Sequence, residues 1–361
     1  MNNIQNNNRN CNAIQETKTF DNLRYQCGGR WDVTVPKPMP IFPLERGTKL
    51  INESISTVSK RIDECLRKNS IQATFDVDKV EATCKTAAGL QYKIFLYAGP
   101  ENDDGSTTHV EIIKMKGCGF QFTKEKEIII NAAKNLQENP EKSRNVMMKI
   151  PLDLLELYVP PSIHELESML DRISEQLHSR NRKTLLFALQ NLASMTTPDK
   201  SYPQNAHQMS RLVMQSRSDV RDIIVAIYTA AHDMIDESSE SVVSSCLHIL
   251  LNVTQSFYGE HNNTNSKKLL AQQGGEDTKY FIDQLVPSLL TAVTNCKDTH
   301  NACLALNILC ILIEHSPATC VILRERDAIT VIKEAQLHGS MEHLKLETIA
   351  RRTVETLQSQ P

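Results

Sequence analysis

"LQYKIFLYAGPENDDGSTTHVEIIKMKGCGFQF", residues 90–122, carries two strands and the start of a helix. Leu90, Tyr92, Ile94 and Leu96 alternate with Gln91 and Lys93, the period-two pattern of a strand buried on one face. "GPENDDGS" at 99–106 is turn chemistry, and "THVEIIKMK" at 108–116 is a second strand. That strand ends in Lys114 and Lys116, followed by Gly117, Gly119, Phe120 and Phe122. With Ile113 and Met115 turned to the core, both lysines project from the outer face about 7 Å apart. Two point charges so spaced suit phosphate oxygens without specifying a base or sugar.

The flanking sequence builds a domain around this pair. "IQATF" (71–75) and "VEATCKT" (80–86) complete a four-strand meander, with turns at Asp76-Val77-Asp78 and Ala88-Gly89. Upstream, Ile51, Ile55, Val58, Ile62, Cys65 and Leu66 fall at helical spacing, predicting a helix over about 52–68 rimmed by Lys60, Arg61, Arg67 and Lys68. Downstream, Thr123 is the expected N-cap of a helix whose first turn holds Glu125 and Glu127. Its apolar content is Ile128, Ile129, Ala132, Ala133 and Leu136, and Phe120 and Phe122 are expected as core anchors. Residues 39–138 therefore read as a small α+β domain, an antiparallel sheet with two helices on one face.

Outside it the composition changes. Residues 1–38 are asparagine-rich and poor in periodic apolar content, so disorder is expected, and the prolines at 36, 38, 40 and 43 favour an extended segment. Residues 139–161 are a connector apolar enough, at Leu152, Leu154, Leu155, Leu157 and Tyr158, to dock on a flanking domain, so the domains are expected to touch. From 162 to 361 the chain reads as helix after helix. "LLFALQNLAS" (185–194), "CLHILLNVTQ" (246–255) and "CLALNILCILIE" (303–314) each place an asparagine, Asn191, Asn252 or Asn307, inside an apolar helix. A weak repeat of this kind signals stacked helical units that cannot bury their faces alone.

Bulk properties set limits on function. At 361 residues, two or three domains are expected. The longest apolar runs, such as "ILCILI" at 308–313, fall far short of the roughly 20 residues that span a bilayer. "MNNIQNNNRN" offers neither an apolar segment nor a glycine after the initiator methionine, so no signal peptide or myristoylation is expected and the chain reads as cytoplasmic, with peripheral membrane contact open to it. A net charge of −3 and a pI near 6.4 argue against nucleic acid as the main partner. The ten cysteines show no Cys-x-x-Cys or Cys/His cluster and read as small buried hydrophobes in a reducing compartment, so no metal is expected. With no signal peptide expected, the Asn-x-Ser/Thr triplets at Asn52, Asn252 and Asn262 are not expected to carry glycans. "GCG" at 117–119 lacks a third glycine, no phosphate loop, zinc-protease, nucleophile-elbow or kinase-loop motif occurs, and His232-Asp233 and His315 read as a helix surface and a helix end. The expectation is a non-enzymatic protein with no catalytic residue and no cofactor.

Two resemblances sharpen this. The basic-hydrophobic-basic-glycine end of the 108–116 strand, Lys114-Met115-Lys116-Gly117, followed by Phe120 and Phe122 and preceded by the helix "INESISTVSKRIDECLRKN", resembles the kinase-associated C-terminal domain (kinase-associated domain one) of microtubule-affinity-regulating, AMP-activated-type and plant calcineurin-B-like-interacting kinases. Over about 95 residues the resemblance implies a module that binds acidic phospholipid or restrains a kinase, through Lys114, Lys116, Lys124, Lys126, Lys60 and Arg61, with Lys134, Arg67 and Lys68 as further candidates. The family's kinase domain is absent from this chain. Residues 46–136 hold 14 Lys+Arg against 12 Asp+Glu, so membrane attraction would depend on clustering. Residues 301–358 resemble an armadillo repeat boundary, with Asp327 in place of the family's glycine and asparagine intervals of 61 and 55 residues, longer than the roughly 40 to 47 of ideal repeats. Segments 197–206 and 259–275 read as insertions. This resemblance implies a superhelix whose groove holds a protein partner's backbone through Asn191, Asn252 and Asn307. Together they imply an adaptor. The alternative is the regulatory C-terminal part of a serine/threonine kinase, with "WDVTVPKPMP" (31–40) as the tail of a missing catalytic region.

Overall fold

A computed structural model describes residues 31–35, 37–40, 48–99, 107–136, 161–198, 200–214, 219–232, 237–259, 276–295 and 298–360. The segment read as disordered lies outside the described residues up to position 30, as do the connector except Pro161 and the insertion after Gly259.

The first module is an antiparallel sheet with two helices. Its elements are β1 (Lys49–Ile51), α1 (Ile55–Lys68), β2 (Gln72–Asp76), β3 (Glu81–Lys85), β4 (Gln91–Ala98), β5 (Thr108–Lys116) and α2 (Gly119–Ala133). The strand order is β1-β5-β4-β3-β2, so the four expected strands form a meander and β1 adds a fifth along β5. α1 begins where Ser54 accepts a hydrogen bond from Thr57 N, and it buries Ile55, Val58, Ile62, Cys65 and Leu66. Against these helices the sheet presents Ala82, Cys84, Leu90, Tyr92, Ile94, Leu96, Val110 and Ile112, all buried.

Three expectations are corrected here. Trp31 and Val33, inside the segment read as disordered, are fully buried in this core; Trp31 stacks on Phe75, and Lys37 bridges to Tyr97. Two large apolar side chains gain more from burial than their polar surroundings suggest. α2 starts at Gly119, not after Thr123, and its N-cap is Cys118. The third concerns β5, whose inward residues are Val110 and Ile112, paired with Leu96 and Ile94. Ile113 is half-buried and Met115 is 58% exposed, so the expected facing of the strand is reversed.

Ten further helices follow among the described residues: α3 (Ile163–Leu177), α4 (Arg182–Thr196), α5 (Pro203–Met214), α6 (Val220–His232), α7 (Glu237–Gly259), α8 (Glu276–Thr294), α9 (Thr299–His315), α10 (Pro317–Glu325), α11 (Ala328–Glu342) and α12 (Leu344–Ser359). α3 opens with a reciprocal capping box between Ser162 and Glu165, at the expected boundary. α4, α7, α9 and α12 pack in series, and cross-contacts fix their direction. Asn252 of α7 reaches Thr196 at the end of α4, Tyr258 of α7 stacks on His315 at the end of α9, and Cys310 of α9 meets Thr356 of α12. C-terminal halves meet C-terminal halves, so the four helices run parallel. A second layer, with α6, α8 and α11 in series, covers one side of this ladder. Asp327, just before α11, takes the left-handed φ of 50° that a glycine would adopt without strain.

The buried apolar residues form two separate clusters, one within 31–133 and one within 166–357. The modules touch, as expected, but through polar contacts.

Candidate functional site

The β5–α2 corner follows from one backbone requirement. Gly117 has φ +109°, and a methyl group there would stand 2.9 Å from the Leu90 Cα, so only glycine lets the chain turn off the sheet this close to β4. The turn delivers Cys118 to the start of α2 without a side-chain cap, and no acidic residue occupies the helix's first turn. The backbone N–H groups of Gln121 and Phe120, with Lys114 nearby, hold the exposed Cys118 thiol below its usual range. Cys118 is thus an exception to the expectation of buried cysteines; Cys65, Cys84, Cys246, Cys303, Cys310 and Cys320 conform to it.

Lys114, opposite Tyr92, lies on the strand face of Val110 and Ile112, the face that the helices cover, whereas a register shift at Met115 sets Lys116 opposite Gln91 on the other face. For Lys114 the expected outer-face position is therefore replaced by one beside the start of α2, where a methyl group on Gly119 would meet its ammonium at 3.8 Å. Phe120, expected in the core, is 70% exposed. Phe122 alone of the aromatic pair anchors, half-buried with its ring 6.3 Å from that of Tyr92. The corner thus combines exposed Lys114, Lys116 and Lys124 with the exposed apolar side chains of Met115 and Phe120 around the start of α2, whose dipole favours anions.

The remaining basic candidates do not join it. Lys126 lies half-buried over the Phe122 ring at 5.9 Å. Arg61 donates to the Ala133 carbonyl at 3.3 Å and to Glu53 at 3.2 Å, tying α1 to the far end of α2. Fourteen helical steps separate that end from the corner, about 20 Å, and exposed Lys60 is beside Arg61. Arg67 donates to the Ser340 carbonyl of α11. Sequence reasoning grouped these residues by type; the register of β5 and the length of α2 separate them.

On the helical ladder, Asn191, Asn252 and Asn307 are all half-buried. The Asn252 amide donates to Thr196 Oγ1 at 3.2 Å and to Thr197 Oγ1 at 3.0 Å, linking α7 to α4. Asn307 donates to the Cys303 carbonyl of its own helix at 3.0 Å. These amide groups therefore have internal uses. Among the described residues no group of three or more His, Cys, Asp or Glu is placed to hold a metal ion, and no helix is long and apolar enough to cross a membrane. Comparison with known protein families, curated proteins and solved structures finds no match to this chain.

Proposed function

We propose that the chain is a non-enzymatic adaptor whose α+β module, of kinase-associated type, rests on acidic phospholipid while its armadillo-like ladder holds a protein partner. The observation that carries this reading is the β5–α2 corner: Phe120 and Met115 stand out of the surface beside Lys114, Lys116 and Lys124. Exposed apolar side chains among ammonium groups match the boundary of an anionic bilayer, where the apolar groups enter the acyl edge and the cations meet phosphates. In the helical module, parallel packing of every third or second helix supports the armadillo-like reading, and concave ladders of this kind are habitual protein-binding surfaces. Because Asn252 and Asn307 bond internally, the proposed grip on a partner falls to other half-exposed ladder side chains, Asn191 among them.

The test is sedimentation of the full chain with phosphatidylserine and with phosphatidylcholine vesicles, comparing wild type with the double substitution Lys114→Ala/Lys116→Ala. At roughly 1 kcal/mol per basic residue near an anionic surface, the double variant should bind about 10- to 30-fold more weakly. Equal binding by both proteins, or binding insensitive to salt, would refute the lipid assignment.

A further inference from the structure

The seam between the modules is built around histidine. Lys85, the last residue of β3, gives its carbonyl oxygen to His300 Nε2 at 3.0 Å and pairs its ammonium with Glu240. Lys345 N donates to Ser70 Oγ at 3.0 Å, and Arg67 adds its bond to the Ser340 carbonyl. Glu240, His300 and Lys345 stand in the first turns of α7, α9 and α12. The α+β module therefore lies across the aligned N-terminal ends of three parallel helices, which carry partial positive charge. Behind His300, edge-on at 5.3 Å, is the ring of His343, fully buried as the N-cap of α12. His343 Nδ1 accepts from Leu346 N at 3.2 Å, so its proton is on Nε2, which has no hydrogen-bond partner among the described residues.

We propose that this seam is a proton-sensitive clasp, which holds the α+β module over the N-terminal ends of α7, α9 and α12 at neutral pH and releases it in mild acid while both modules stay folded. A second proton on His343 must go to Nδ1, where it removes the acceptor that caps α12 and places a cation beside His300. A second proton on His300 likewise leaves the Lys85 bond intact but adds a buried charge. Burial pushes His343 down to about 4, helped by His300, Lys345 and His338. Burial also lowers His300, against the Lys85 carbonyl and Asp298, which raise it, and lowers His248, with Lys200, Lys345 and His300 contributing.

Nearby carboxylates offset this charge only in part: Asp298 favours the charged form of His300. Asp298 accepts from Asn301 N and Nδ2, and Glu240 is paired with Lys85. Glu342, facing Asp63 of α1, is pushed by burial up to about 7 and is neutral in acid. All the shifted histidines lie below their ordinary value of 6.5, so the open, hydrated state takes up protons first. The three lowered histidines draw stability from the closed seam as pH falls from 6.5 toward about 4, and Glu342, raised to about 7, acts in the opposite sense between 4.5 and 7. One site moved from 6.5 to about 4 changes the closed-to-open ratio by up to roughly 300-fold.

The experiment is small-angle scattering of the full chain from pH 7.5 to 4.5, with far-UV circular dichroism on the same samples. The wild type should expand below pH 6.5 with helical signal retained. The double variant His300→Gln/His343→Asn keeps a donor for Lys85 and an acceptor for Leu346 but cannot titrate, and it should stay compact throughout. A constant radius in the wild type, the same expansion in the variant, or loss of helical signal in step with expansion overturns the proposal. Should that variant fail to fold, a charge swap decides: Lys85→Glu should open the seam at pH 7.5 and Lys85→Glu/Glu240→Lys should close it again, and failure of the second change to restore compactness overturns the proposal equally.

Discussion

Replacing Arg61 with methionine separates a structural arginine from a membrane-facing one. The Arg61 side chain is 24% exposed and holds two partners, the Ala133 carbonyl at 3.3 Å and the half-exposed Glu53 carboxylate at 3.2 Å. A hydrogen bond from a charged donor contributes about 1.5–3 kcal/mol when dry, and a half-exposed ion pair contributes roughly 0.2–1 kcal/mol. Both bonds here are long and partly hydrated, so the lower ends apply and their loss destabilises the α+β module by about 1.5–2 kcal/mol. For a module near 100 residues that is a fall in melting temperature on the order of 10 °C. Methionine retains the apolar stem, so packing changes little. The assay is built in: Trp31 is the chain's single tryptophan and is buried in this module, so its fluorescence reports this module's unfolding. Affinity for phosphatidylserine vesicles below the transition should stay within about twofold of wild type, the shift expected for loss of an internal bond. An unchanged melting temperature, or a vesicle-binding loss matching that of Lys114→Ala, would refute this assignment of Arg61.

Three further outcomes follow from the geometry. Gly117→Ala forces a left-handed residue with a methyl group against the Leu90 backbone, and should destabilise the module by about 1–3 kcal/mol in urea unfolding followed by Trp31 fluorescence; a neutral result would remove the reason for the corner's shape. Asp327→Gly relieves the strained φ of 50° but loosens the unfolded chain, and should raise helical-module stability by roughly 0.5 kcal/mol in a far-UV melt; a loss of stability would contradict it. Glu342 has a folded value near 7, raised above the ordinary 4.5 by burial and by Asp63, so the stability it supports is present below 4.5 and lost as pH rises through 7. Glu342→Gln should therefore flatten the decline between pH 5 and pH 8, at most about 3 kcal/mol, in paired urea titrations.

The sequence showed the strands through alternation and the helices through caps, because those signals are local. Leu90, Tyr92, Ile94 and Leu96 are all buried as their period predicts, and α3 begins at its capping box. β5 misled because Val110, Ile112, Ile113 and Met115 put apolar residues on both faces, so periodicity could not choose between them. The choice was made by register with β4 and by the Gly117 turn, both nonlocal. α2 started early because a cysteine at the N-cap and a glycine at the first position are weak start signals. Trp31 was hidden by its asparagine-rich company. The histidine seam had no sequence signature at all, since His300 and His343 meet through the packing of the helices and Lys85 reaches His300 and Glu240 only through the docking of the two modules.

The most direct measurement of the central claim uses Phe120→Trp as a reporter of insertion. Trp31 is buried and its environment stays fixed, so any change in emission on adding vesicles comes from position 120, which is 70% exposed in the free protein. The corner's geometry predicts a blue shift with phosphatidylserine vesicles and none with phosphatidylcholine, the shift being lost in the Lys114→Ala/Lys116→Ala background. Emission that stays at the solvent-exposed wavelength with either lipid would contradict the account.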